Sequence, residues 1–139
     1  MTAPHPRARR LGRERALQFL FGLDFTRAPW QDAIEGFWRT YPARPNVKTY
    51  AETLIRGVFD NLDTLDREID AALERWTPDR VGRIERCLLR IALFEMRYAP
   101  DVPDKVAINE AIEIAKRYAW DEAPRFINGV LDRLRRQDE

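Results

Sequence analysis

Five arginines crowd the start of the first predicted helix, where they could bind phosphate. Residues 7–15 hold these arginines and a single acid, namely Arg7, Arg9, Arg10, Arg13, Arg15 and Glu14. A helix N-terminus carries partial positive charge, so cations there oppose folding and anions are favoured. Guanidinium groups bind phosphate in a bidentate manner, and a bound phosphate would also be stabilised by the helix end. The cluster therefore favours a nucleic-acid surface.

The main alternative for this cluster is a solvated helix face. Arg10 and Glu14 have the i, i+4 spacing of an ordinary ion pair. That pair accounts for one arginine and leaves four without an explanation. An acidic protein is a further alternative ligand, because arginine clusters also bind carboxylates.

A second candidate surface lies at the start of the last predicted helix. Phe126 lies about 100° from the apolar stripe that begins at Ile127. Such a ring could stack on a base of single-stranded RNA, with Arg125 contacting phosphate. The alternatives stay open: Phe126 as a flank of the core and Arg125 as a solvated charge. The acids Asp121 and Glu122 precede this helix, where its dipole favours them.

The inventory of reactive side chains argues against an enzyme. The chain has no serine, one histidine (His5), one cysteine (Cys87) and six isolated glycines. These residues provide no nucleophile–base pair, no metal-ligand cluster and no glycine-rich phosphate loop. We therefore predict no catalytic residue, no metal and no cofactor, and we expect Cys87 to be an inert core thiol.

The same composition predicts a cytoplasmic protein. A single cysteine forms no internal disulfide, which fits a reducing compartment. No apolar run approaches the length of a membrane span, and the N-terminus lacks the apolar core of a signal peptide.

The elements that must position these side chains are all helical. Apolar spacing and proline positions predict about seven helices, no sheet, and a compact all-α bundle with short loops. The first helix is predicted from about Arg9 to Phe25, with Leu17, Leu20, Phe21 and Leu23 buried. We predict one helical domain over residues 9–135, a flexible arginine-containing segment at 1–8 and a frayed tail at 136–139.

The fifth predicted helix, from about Asp79 to Tyr98, differs from the others. Its segment CLLRIALF is apolar on nearly every side and is interrupted only by Arg90. A helix that is apolar all round is buried all round, so we predict it at the centre of the bundle. Thr77 followed by Pro78 is typical of a helix start.

Several segments resemble the NusB family of transcription antitermination factors. ERCLLRIALFEM, VPDKVAINEAIEIAKRY and RFINGVLDRL are similar to its C-terminal half, and RRLGRERALQFLF is similar to its opening helix. The resemblance runs from about Arg9 to Leu134 in the correct order. Gly12 replaces the alanine usual in the opening motif, which we expect to weaken that helix by at most about 1 kcal/mol.

The resemblance implies a fold and a set of partners. Members are all-helical, with two small bundles packed together. They bind the single-stranded boxA element of ribosomal RNA leaders together with NusE, a small-subunit ribosomal protein, within an RNA polymerase antitermination complex. The implied RNA surface consists of first-helix arginines, here Arg7, Arg9, Arg10 and Arg13. The implied NusE surface includes Glu85, expected on an exposed edge of the fifth helix, with Phe21 as a possible neighbour.

Two other readings stay open beside this one. A similar helical domain precedes the catalytic domain of some ribosomal RNA cytosine methyltransferases, which requires a glycine-rich cofactor-binding domain that these 139 residues do not contain. The chain could instead be a protein-interaction bundle whose arginines meet an acidic protein.

Overall fold

The protein consists of helices joined by short connections in the part of the chain that its structure, a computed structural model, describes: residues 5–23, 29–75 and 81–136. These residues form no strand. They form seven α-helices and one 3₁₀ turn: α1 (Pro6–Leu23), α2 (Trp30–Thr40), α3 (Pro45–Asp60), α4 (Leu62–Ala72), the turn Leu73–Arg75, α5 (Arg83–Tyr98), α6 (Asp104–Tyr118) and α7 (Ala123–Arg136). The predicted all-α fold is confirmed.

The chain divides into two compact units, Met1–Arg56 and Gly57–Glu139. The division falls within α3, and it agrees with the two small helical bundles that the resemblance implies. The single domain predicted over residues 9–135 stays a prediction beside this division.

Aromatic side chains join the helices of the first unit. The Phe19 ring meets the rings of Trp30 and Phe37 edge-on, with centroids 6.5 and 5.3 Å away. Such edge-to-face pairs add specific geometry to the burial of apolar area. The indole Nε1 of Trp38 donates a hydrogen bond to Glu52 Oε2 at 3.0 Å, which links α2 to α3.

Two core predictions for α1 are not met, because Leu23 is only partly buried and Phe21 is exposed. Leu17 and Leu20 are buried as predicted, but Phe21 is 39% exposed. Adjacent helical positions lie about 100° apart, so a stripe centred on Leu17 and Leu20 need not include Phe21. The Phe21 side chain therefore lies at the edge of the core, partly in contact with solvent.

Helix α5 is the central helix of the second unit, as predicted. Residues 87–89 and 91–95 are buried, and α5 packs against α4, α6 and α7. Arg90 interrupts this apolar run because it forms a bidentate pair with Asp66 of α4, with N–O distances of 2.7 and 2.8 Å. Arg97 donates to Glu68 at 2.9 Å and to the Leu134 carbonyl at 3.2 Å, which ties α4 and α7 to α5.

Several helix boundaries differ from those predicted. Helix α1 begins at Pro6, so residues 6–8, predicted as part of a flexible segment, are helical. Helix α5 begins at Arg83 after the N-cap residue Gly82. The predicted start at Thr77 and Pro78 lies outside the described residues. Arg136, predicted in the frayed tail, is the last residue of α7.

Candidate nucleic-acid interface

The four predicted RNA-binding arginines of α1 differ in exposure. Arg7 and Arg10 are exposed and Arg9 is partly buried, whereas Arg13 is only 3% exposed. The cluster is therefore not a uniformly solvated helix face. Two of its members are exposed to solvent, and two are packed against the protein.

Tyr50 of α3 holds the two inner arginines. The guanidinium carbons of Arg9 and Arg13 lie 5.3 and 5.5 Å from the centroid of its ring. Arg13 Nη2 also donates a hydrogen bond to the Tyr50 hydroxyl at 3.4 Å. A cation over an aromatic face is attracted by the ring quadrupole, more strongly where water is excluded. Tyr50 therefore fixes the inner side of the arginine cluster.

Gly12 lets α3 approach α1 closely. A Cβ at this position would lie 3.0 Å from Tyr50 Cδ2 and 3.4 Å from the Ala51 amide nitrogen. The separation from the Tyr50 ring carbon is tighter than ordinary van der Waals contact, so an alanine would force the Tyr50 side chain to shift by a few tenths of an ångström. The sequence predicts only weakening of the helix at Gly12, whereas the structure gives this glycine a packing role beside Tyr50.

The second candidate surface lies at the turn between α6 and α7. Arg125 is exposed and Phe126 is partly buried, so the structure leaves part of the ring accessible. The exposed acids Asp121 and Glu122 stand just before α7, and the Glu122 carbonyl accepts the Phe126 amide at 3.2 Å. These acids and Phe126 therefore meet at one helix start, as predicted.

Trp120 is a surface aromatic at this turn that sequence reasoning missed. Its side chain is 46% exposed, and its carbonyl accepts the Ala123 amide at 3.0 Å at the beginning of α7. An indole outside both neighbouring apolar stripes is the signal that could have identified it.

The predicted exposure of Glu85 is wrong, because this side chain is only 3% exposed. Since α5 begins at Arg83, Glu85 lies in its first turn, where the dipole favours an acid. Its carboxylate lies over Gly82, and a Cβ at residue 82 would force that carboxylate to move. The structure therefore gives Glu85 a role in starting α5, and its contact with NusE stays a prediction.

The remaining reactive groups are few. Cys87 is buried, and burial raises the pKa of its thiol to about 11, against a smaller lowering effect of Arg90. Such a thiol is protonated near neutral pH and is a poor nucleophile, as predicted for a core cysteine. Across the described ranges, no three or more His, Cys, Asp or Glu side chains are grouped to hold a metal ion. None of the described helices is long and apolar enough to span a membrane.

Comparison with known sequences identifies close similarity over most of the chain. The sequence model of the NusB family matches residues 10–136. A protein of Desulfotalea psychrophila named transcription antitermination protein NusB is 44% identical, over 91% of this chain and 94% of that protein. The Bacillus subtilis protein of the same name is 41% identical over the same shares of the two chains.

Solved structures share the fold. The structure of T. maritima NusB superposes with a TM-score of 0.79 at 33% identity, over 99% of this chain and 94% of that one. A chain in the crystal structure of antitermination factors NusB and NusE in complex with dsRNA gives a TM-score of 0.83 at 22% identity, over 96% and 99% of the two chains.

Proposed function

Because this chain belongs to the NusB family, we propose that it is an RNA-binding transcription antitermination factor. In this proposal it binds boxA-type single-stranded leader RNA together with NusE and acts within an RNA polymerase antitermination complex. The role requires binding surfaces and no catalytic group. The observation that carries it is the exposure of Arg7 and Arg10 at the N-terminal end of α1.

The electrostatics of α1 support phosphate as the ligand of this surface. Its first turn contains no acidic residue, so the positive helix end is reinforced by arginines and not neutralised. Phosphate suits both the partial positive charge of the helix end and the guanidinium groups. Arginines that are unfavourable for folding are thus placed favourably for RNA.

The four arginines divide into contacting and positioning groups. Arg7 and Arg10 contact phosphates, because their side chains are exposed. Arg13 is a positioning residue, because its guanidinium is held by Tyr50. Arg9 is intermediate between the two groups, because its side chain is partly buried and also lies over the Tyr50 ring. Fixing the inner arginines reduces the side-chain freedom that RNA binding would otherwise remove.

The start of α7 supplies the proposed base contact. The accessible part of Phe126 stacks on a base, and Arg125 contacts phosphate beside it. The exposed acids Asp121 and Glu122 repel phosphate there, so they limit the strength of this contact.

We propose two separate contacts with NusE, one at Phe21 in the first unit and one at the beginning of α5 in the second unit. A similar fold has been solved as NusB and NusE in complex with dsRNA, which supports extending the NusE partnership to this chain. Phe21 offers a 39% exposed ring. Glu85 reaches NusE only if its carboxylate leaves Gly82, so we propose that it acts mainly by holding the start of α5.

Titration of a fluorescently labelled boxA-type strand tests the function directly. The strand, a scrambled strand of equal length and a duplex of the boxA sequence are each titrated with the protein, with and without NusE. We expect the boxA strand to bind most tightly, and NusE to increase its affinity. Equal binding of all three RNAs would contradict boxA recognition. Absence of RNA binding, together with binding to an acidic protein, would favour the protein-interaction alternative.

A further inference from the structure

A basic pocket lies where the N-terminal ends of α1 and α3 meet, within the first unit. Its volume is about 470 Å³, which is in the range of small-molecule sites. The residues that line it include His5, Arg7, Leu11, Arg44, Asn46 and Val47. Of these, only Arg7 belongs to the arginine surface predicted from the sequence.

Two arginines of this pocket form no side-chain ion pair or hydrogen bond with the described residues. Arg7 and Arg44 are both exposed. Their guanidinium groups have no ion pair or hydrogen bond anywhere in residues 5–23, 29–75 and 81–136. Arg9 and Arg13, by contrast, are engaged by Tyr50. Since both arginines line the same cavity, an anion bound there would be attracted by two positive charges.

The lining of the pocket has an apolar part, here called its apolar floor, and a polar part, here called its rim. Leu11, which is 40% exposed, and the buried Val47 form the apolar part together with Ala8. At the rim, Asn46 Oδ1 accepts the Val47 amide at 2.9 Å. The Asn46 Nδ2 donor has no partner within the described residues, so it is available to a ligand.

We propose that this pocket binds one nucleotide of the single-stranded RNA, with its phosphate on Arg7 and Arg44 and its base over Leu11. An apolar floor suits the face of a base, an amide donor suits its edge, and guanidinium groups suit phosphate. An acidic peptide would use the two arginines and leave the apolar floor without a matching group. The inference rests on the proposed RNA-binding function and extends the RNA surface from α1 onto α3.

Arg44→Ala tests the pocket, and Arg39→Ala is its matched control. Arg39 is an exposed arginine of α2 that does not line the pocket, so both variants lose one surface charge from the first unit. Affinity is measured by fluorescence anisotropy with the labelled boxA-type strand at one salt concentration, after circular dichroism has verified folding. We expect Arg44→Ala to weaken binding about tenfold, as for a lost charge-assisted hydrogen bond, and Arg39→Ala to change it less than about twofold.

Leu11→Ala distinguishes a bound nucleotide from diffuse charge attraction. We expect Leu11→Ala to weaken RNA binding, and its effect to be smaller in the Arg44→Ala background because both residues hold the same nucleotide. Equal affinities of the Arg44→Ala and Arg39→Ala variants, with normal wild-type binding, would overturn the pocket and leave the proposed function intact. Absence of wild-type RNA binding would overturn both. If a polyglutamate peptide binds in an Arg44-dependent way while RNA affinity does not depend on Arg44, the pocket takes a protein partner instead.

Discussion

At the residue scale, the side chain that most affects the arginine surface is Tyr50, which is far from it in sequence. Tyr50→Phe keeps the ring under Arg9 and Arg13 and removes only the 3.4 Å hydrogen bond, so we expect unfolding free energy and RNA affinity close to those of the wild type. Tyr50→Ala removes the ring, and we expect it to lower the unfolding free energy by about 2 kcal/mol and to weaken RNA binding. Urea unfolding and RNA titration measure the two effects. Equal RNA affinities of the two variants would show that the ring does not position the arginines.

Cys87 gives a residue-scale prediction for pH dependence. Burial raises the pKa of the folded thiol to about 11, above its ordinary value near 9. Between these values the unfolded chain releases a proton that the folded protein keeps, so stability falls as the pH rises. We expect the wild type to lose about 1.4 kcal/mol per pH unit in this window relative to Cys87→Ala. The measurement is the difference between their unfolding free energies at pH 8 and at pH 10.5. If that difference is the same at both pH values, the thiol is not protonated in the folded state as inferred.

At the element scale, the centre of α5 could be predicted from sequence and its start could not. CLLRIALF is apolar on every side, and burial on every side is the direct consequence. The N-cap residue Gly82 lacks the side-chain oxygen that usually marks a helix start, whereas Thr77 and Pro78 supply a stronger local signal. Because α5 begins at Arg83, Glu85 lies in its first turn and is buried over Gly82.

The start of α5 yields a prediction that separates a surface charge from a buried one. Glu85→Lys places a cation at the helix N-terminus, where little space is open to water, and we expect it to lower the unfolding free energy by about 2 kcal/mol. Glu113→Lys is the control, because Glu113 is an exposed residue of α6 whose ion pair with Lys116 is solvated. We expect that variant to change stability by less than about 1 kcal/mol. If Glu85→Lys and Glu113→Lys had similar thermal stabilities, Glu85 would behave as an exposed residue, which would contradict its burial.

The turn before α7 gives a second prediction at this scale. If Phe126 stacks on a base, we expect Phe126→Ala to weaken RNA binding by about 1–3 kcal/mol. Trp120→Ala is the matched comparison, since it removes a more exposed aromatic side chain from the same turn. Affinity and melting temperature are measured together for both variants. A lower melting temperature with unchanged RNA affinity for Phe126→Ala would assign its ring to the core.

At the scale of the whole molecule, positive charge is concentrated in a few places and is not a property of the whole surface. The net charge is only +1, although 24 residues are Lys or Arg, so attraction to RNA depends on where the cations stand. The sequence shows that arginines gather at the start of α1. It does not show that Arg44, distant in the chain, lies at the same pocket, because that depends on how α3 packs beside Gly12. Local clusters could thus be predicted, whereas the site that several helices build could not.

The salt dependence of RNA binding tests this local view of charge. Each phosphate contact to a single strand contributes about 0.7 to the slope of log affinity against log salt concentration. We expect the Arg7→Ala, Arg10→Ala double variant to reduce that slope by about 1.4, because both exposed arginines lose a phosphate. Arg39→Ala should leave the slope nearly unchanged, because Arg39 lies outside the proposed RNA surface. If RNA were attracted by overall charge alone, the loss of any arginine in the unit would change the slope. Titrations of the boxA-type strand at several salt concentrations give the slopes. If every variant reduced the slope by the same small amount per arginine, RNA binding would depend on net charge, and the arginines of α1 would not form a specific RNA surface.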